Sequence, residues 1–96
     1  VALPRSAEAW IALSHQLIAD EVPATSRDPA FALVAARKAV ELGKTAPALV
    51  TLAEAQIANG DHDGAQHSLD AAAIAKPIDA ATDARLEKAR QALPHR

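Results

Sequence analysis

An all-α fold of five helices is what this chain predicts, and three observations carry that expectation. Alanine fills 26 of 96 positions while Trp10 and Phe31 are the only aromatics, so the interior must be built from helices that approach closely through small contact residues. Apolar residues recur at i, i+3, i+4 and i+7 through most of the chain, the spacing of one helical face. Capping and stopping residues then punctuate those runs: Ser6, Asp28-Pro29, Gly43, Asn59-Gly60-Asp61 and Lys76-Pro77.

The first helix is expected from about Ala7 to Asp20, with Ser6 as N-cap and Glu8 in the first turn, where the helix dipole favours an anion. Its inner stripe is Trp10, Leu13, Ser14 and Leu17. A second apolar line, Ile11 and Ile18, flanks His15 on an adjoining face. Residues 21–27, with Pro23, Thr25 and Ser26, read as a loop. Asp28-Pro29 restarts a helix that runs to about Leu42, in which Ala32, Ala36, Ala39 and Val40 face inward while Arg37, Lys38 and Glu41 face water. Gly43 is expected to stop it in the left-handed conformation.

The third helix starts near Pro47 and repeats the two-faced plan of the first, with Leu49, Leu52, Ala53 and Gln56 on one face and Val50, Glu54 and Ile57 on the next. After Asn59-Gly60, Asp61 caps a fourth helix with Ala65, Leu69 and Ala72 inward, ended by Lys76-Pro77. A final helix from about Asp79 to Leu93 carries Ile78, Ala81, Leu86, Ala89 and Leu93 among many charges, and reads as a solvated cap.

The chain makes one small domain, residues 1–96, whose size leaves little room for a catalytic pocket. Ten Lys and Arg stand against twelve Asp and Glu, a net charge of −2 spread without blocks, which disfavours nucleic acid as a partner because phosphate binding requires a basic face. No run of about 18 apolar residues occurs to span a membrane. Cysteine is absent, so disulfides and thiolate metal sites are excluded. Val1 is neither an initiator Met nor the start of a leader peptide, so the chain reads as a fragment or processed product, expected to be the C-terminal part of a larger protein.

Three motifs imitate chemistry. Asn59-Gly60-Asp61-His62-Asp63-Gly64, with Asp70 eleven positions after Asn59, has some of the alternating oxygen ligands of a calcium loop, but Asn leads it and Gln66 replaces an apolar residue. A turn followed by a helix cap explains the same letters. His62 and His67 are five apart, a spacing that does not align two imidazoles on one helix face, so no shared metal is expected. Ser14 and His15 diverge by about 100° on a helix and form no nucleophile–base pair. No catalysis, cofactor or metal is expected.

Leu49, Leu52, Ala53, Gly60, Asp61, Ala65, Leu69, Ala72 and Pro77 resemble the tetratricopeptide repeat, a helix-turn-helix unit of about 34 residues. Ala7, Glu8, Ala9, Trp10, Leu13 and Leu17, with Ala32, Ala36, Ala39, Glu41 and Leu42, resemble a preceding repeat. Trp10 and Leu49 are 39 positions apart, so this first unit, residues 7–45, carries an insertion assigned to loop 21–27. The second unit is residues 46–78, and residues 79–93 resemble the family's C-terminal solvating helix. An extended turn before Arg27-Asp28-Pro29-Ala30 is similar to variants at the C-termini of larger bacterial proteins.

The resemblance implies a short right-handed α-solenoid acting as a protein-interaction module, with a protein or peptide partner in its concave groove. It maps that groove onto Ile11, His15, Ile18, Val50, Glu54 and Ile57, with Ala84 and Lys88 on the last helix. Central Glu54 argues against the carboxylate-clamping mode of the family and for an apolar ligand with a basic or polar residue. A surface helix needs only one apolar stripe, so the second one on each first helix calls for a ligand, a neighbouring repeat or a second copy of the chain. The alternative to peptide binding is therefore structural packing or self-association.

Overall fold

The computed structural model describes residues 6–19, 23–75 and 78–93. Its helices are α1 (Ala7–Ile18), α2 (Pro29–Leu42), α3 (Ala46–Ala58), α4 (His62–Ile74) and α5 (Ala80–Ala92), with a 3-10 turn, Ala24–Ser26, between α1 and α2. Among the described residues there is no strand. Every helix starts on a side-chain cap. The Ala9 amide donates to Ser6 Oγ at 3.2 Å, Phe31 to Asp28 Oδ1 at 3.0 Å, Ala48 to Thr45 Oγ1 at 3.3 Å, Gly64 to Asp61 Oδ1 at 2.9 Å and Thr82 to Asp79 Oδ1 at 2.7 Å. The bonds from Thr82 hold the Asp79 carboxyl below its ordinary 3.8.

The ends correct two expectations. α1 closes at Ile18, short of Asp20, which lies outside the described residues, as do Glu21, Val22 and the Lys76-Pro77 terminator. Gly43 is not left-handed: at φ −170° it is extended, and α2 stops because the chain straightens to bring Thr45 onto the start of α3. The left-handed glycine is Gly60, at φ 80°. There the Asp61 amide reaches back to Gln56 O at 2.9 Å and the Gly60 amide to Ile57 O at 3.0 Å, the paired bonds of a Schellman stop.

The helices form two antiparallel hairpins, α1–α2 and α3–α4. α3 packs on both helices of the first hairpin, and α5 packs on α3 and α4. Close approach is made by alanine. Ala32, Ala35, Ala36 and Ala39 on α2 are all 0% exposed, meeting Trp10 and Ala48 at one end and Ala55 at the other. Bulkier packing lies further along, where Leu49, Val50 and Ala53 of α3 meet Ala65, Leu69 and Ala72 of α4 and Leu86, Ala89 and Leu93 of α5. α5 is thus solvated on one side only, and its apolar stripe belongs to the main core.

Buried polar groups tie the layers together, as interior donors and acceptors must be paired. Ser14 Oγ donates to Ala32 O at 2.8 Å, joining α1 to α2, and Ser68 Oγ donates to Gln56 Oε1 at 2.6 Å, joining α4 to α3. Asn59 Nδ2 reaches Pro29 O at 2.8 Å across the two hairpins. Gly64 leaves room for two side-chain ends: a Cβ there would lie 2.2 Å from Asp61 Oδ2 and 2.8 Å from Gln56 Nε2, so both would have to shift. Leu69, 0% exposed in this packing, is among the largest fully buried side chains, so its truncation leaves a cavity. Leu69→Ala should lower the unfolding free energy in urea by roughly 2–5 kcal/mol. A loss below about 0.5 kcal/mol, the level of a neutral surface change, would contradict the packing described.

Candidate interaction groove

One face of the molecule is built by α1, α3 and α5, the first helix of each hairpin and the final helix. Alongside a hollow of about 350 Å³ between the N-terminal ends of α1 and α3, two open apolar hollows on it border α5. One, of about 310 Å³, is lined by Glu8, Ile11, Ala12 and His15 of α1 and by Arg85 of α5. The other, of about 250 Å³, is lined by Glu54 and Ile57 of α3 and by Lys88, Ala89 and Ala92 of α5. Arg85 and Glu54 stand between them and are ion-paired through Arg85 Nη2 and Glu54 Oε1. The same Nη2 donates to Thr51 Oγ1 at 3.0 Å, and Thr51 in turn donates to Pro47 O at 2.8 Å. The Arg85 and Glu54 side chains are 30% and 26% exposed, so the pair sits in the wall of the groove and is partly desolvated.

The expected groove residues divide into three groups. Ile11, His15, Glu54, Ile57 and Lys88 do line the hollows. Ile18 does not: it is half-buried against Ala32, Ala36 and Ala55, within the seam between the hairpins. Val50 is a correction. It is 0% exposed and belongs to the core with Leu69 and Leu86, because α5 crosses α3 and covers the N-terminal part of the stripe that Val50 shares with Glu54 and Ile57. A free surface at Val50 does not exist in this fold.

Arg85 is the residue that sequence reading missed, having placed Ala84 on this face. Ala84 is exposed and lines neither hollow. The signal was present: once Leu86, Ala89 and Leu93 are taken as the core stripe of α5, the flank one position before each is Arg85, Lys88 and Ala92. Arg85 there gives the Glu54 carboxylate a cation within the chain.

The motifs that imitate chemistry have structural occupations. Ser14 is buried on Ala32 O and His15 is exposed, so the two do not meet. Asp61 caps α4, Asn59 Nδ2 donates to Ala55 O at 2.7 Å as well as to Pro29 O, and Gln66 Nε2 donates to Asp70 Oδ1 at 2.9 Å. The calcium-like letters are therefore a helix stop, a cap and a surface bond. His62 and His67 are both exposed. Among the described residues, no three His, Asp or Glu side chains converge as a metal site, and no helix is long and apolar enough to cross a membrane.

No protein-family model matches the chain, and no match was found among curated proteins or solved structures.

The Arg85–Glu54 pair should behave as a partly desolvated bridge. A double-mutant cycle with Arg85→Met and Glu54→Gln should give a coupling of about 1 kcal/mol in urea unfolding at low salt, at the upper end of exposed pairs. It should diminish as salt is added. A coupling indistinguishable from zero at low salt would mean that the two side chains do not hold each other in solution.

Proposed function

We propose that the chain is a protein-interaction module of the tetratricopeptide type, a short right-handed solenoid that holds a partner peptide or helix along the face of α1, α3 and α5. It makes and breaks no covalent bond. The observation that carries this reading is the pair of apolar hollows on one face, separated by an ion pair that holds its own geometry. Rigid helices present Ile11 and Ala12 on one side of that pair and Ile57, Ala89 and Ala92 on the other. Repeat units, each a hairpin that cannot bury its apolar face alone, typically work by offering an extended surface of this kind.

Affinity in this reading comes from two aliphatic side chains of the ligand, one in each hollow, where burial yields about 25 cal/mol per Å² of apolar area removed from water. The Arg85–Glu54 pair between them sets where the ligand must be polar. Its charges are mutually satisfied, so it selects for hydrogen-bonding groups, such as the backbone of an extended segment, ahead of a strongly charged side chain. His15 and Lys88 are exposed at the margins, where they adjust the on-rate and salt dependence more than the affinity.

The test uses residues that are exposed in the free chain, so that folding and binding separate. Ala12 and Ala92 are both exposed and each lines one hollow. Peptides selected from a displayed library on the wild-type chain, then measured by fluorescence anisotropy, should lose affinity by roughly tenfold or more, about 1.4 kcal/mol, in Ala12→Arg and Ala92→Arg. Circular dichroism of both variants should match wild type. Peptides whose affinity survives both substitutions, or the absence of any selectable peptide, would refute the groove assignment.

A further inference from the structure

The two hairpins start alike, and this identifies a surface on the first by what covers its counterpart on the second. Ser6 and Thr45, 39 positions apart, make the same N-cap bond, to the amides of Ala9 and Ala48. The same offset pairs Trp10 with Leu49, Leu13 with Leu52, and Gln16 with Ala55. On α3, Ala48 and Ala55 are 0% exposed and Leu52 is half-buried, because the ridge of Ala32, Ala35, Ala36 and Ala39 on α2 lies over them. On α1, the counterparts Ala9 and Gln16 are exposed, and Leu13 is half-buried by its own hairpin.

The surface continues onto α2. Leu33 and Val40 mark the flank of α2 turned toward α3 and the main core, and residues half a helical turn away face the other side. Those are Phe31, 43% exposed, and Leu42, 53% exposed. The opposite end of the stack differs: the outer face of α5 carries Asp83, Glu87 and Gln91, all exposed. The first-hairpin end is the more apolar of the two, although the exposed Lys38–Glu41 ion pair lies beside Phe31 and Leu42.

We infer that this outer flank of the first hairpin, centred on Ala9, Leu13 and Gln16 and edged by Phe31 and Leu42, docks a further helical hairpin. The second helix of that hairpin presents small residues at the i, i+3, i+4, i+7 spacing of the α2 ridge. The flank continues an interface already present in the fold: the equivalent surface of α3 receives such a helix, and the resulting contact is the seam between the two hairpins. Gln16, at the place of Ala55, adds a requirement, because its amide must meet a hydrogen-bonding group on the incoming helix if it is to be covered.

A second folded copy does not supply that helix. Its α2 ridge is occupied by α1 and α3, and the corresponding Ala65, Leu69 and Ala72 of α4 are occupied by α3 and α5. A pair of copies joined head to tail would also set the charged α5 face on the apolar flank.

The surface can be tested by giving the chain a hairpin of known fit. In a duplicated chain, residues 1–44 followed directly by residues 6–96, Lys44 is followed by Ser6, which takes the capping place that Thr45 holds in the parent. It should unfold in one transition with a melting temperature about 5 °C or more above that of the parent. Ala9→Asp in the downstream copy should erase the gain, while the same substitution in the parent, where Ala9 is exposed, should leave its melting temperature unchanged. An added segment that stays unfolded, melts separately, or gives a gain indifferent to Ala9→Asp would overturn the inference. So would sedimentation showing that the parent chain dimerises and that Ala9→Asp dissociates it, since a second copy would then be what covers this flank.

Discussion

The alanine ridge of α2 is the constraint on which the rest of the structure depends. Ala32, Ala35, Ala36 and Ala39 are fully covered, and they meet α1 on one side and α3 on the other. Small residues at these positions let three helices approach closely enough for dispersion contacts to accumulate over many atoms, although no single side chain buries much area. A larger residue at any of them would push α3 away from α1 and alter the spacing of the face that those two helices share with α5. Trp10 is the exception that fits the rule, filling the wider space at the α1 end against Ala35, Ala39 and Ala48.

That spacing explains why the groove has the form it does. With α1 and α3 held by the ridge, α5 lies across α3 through Leu86, Ala89 and Leu93, and its next flank turns Arg85 and Lys88 toward the open face. Arg85 is held twice, by Glu54 and by Thr51, so the cation that separates the two hollows is an internal component of the fold. The helix that completes the core therefore also supplies the polar centre of the candidate site. A substitution that loosened α5 from its core contacts would change the shape of both hollows without altering a residue that lines them.

Most of the fold is legible in the sequence because its signals are local. Caps at Ser6, Asp28 and Asp61, the Asn59-Gly60 stop, and the inward positions Trp10, Ala36, Leu49, Leu69 and Ala72 follow from hydrogen-bonding chemistry and helical period alone. The end of α2 was less legible, because glycine permits a left-handed stop but does not impose one, and the need to set Thr45 on α3 decides for an extended Gly43. The site was only partly legible for a different reason. Val50, Glu54 and Ile57 share a stripe, and periodicity treats them as equals, but how far along the stripe α5 reaches is a tertiary fact. Arg85 was hidden likewise: a charged residue on a highly charged helix reads as solvated until the core stripe beside it is fixed.

The alanine seam joins the two hairpins into one cooperative unit, and native-state amide hydrogen exchange tests this most directly. Amides in the middle of α2, around Ala36 and Ala39, and in the middle of α3, around Ala53, all 0% exposed, should exchange only through one common opening. Their free energies of opening should agree with each other and with the global unfolding free energy, and should fall together as denaturant is added. Exchange of the α1–α2 amides at a distinctly lower free energy, with α3–α4 still protected, would show two independent hairpins and contradict the account.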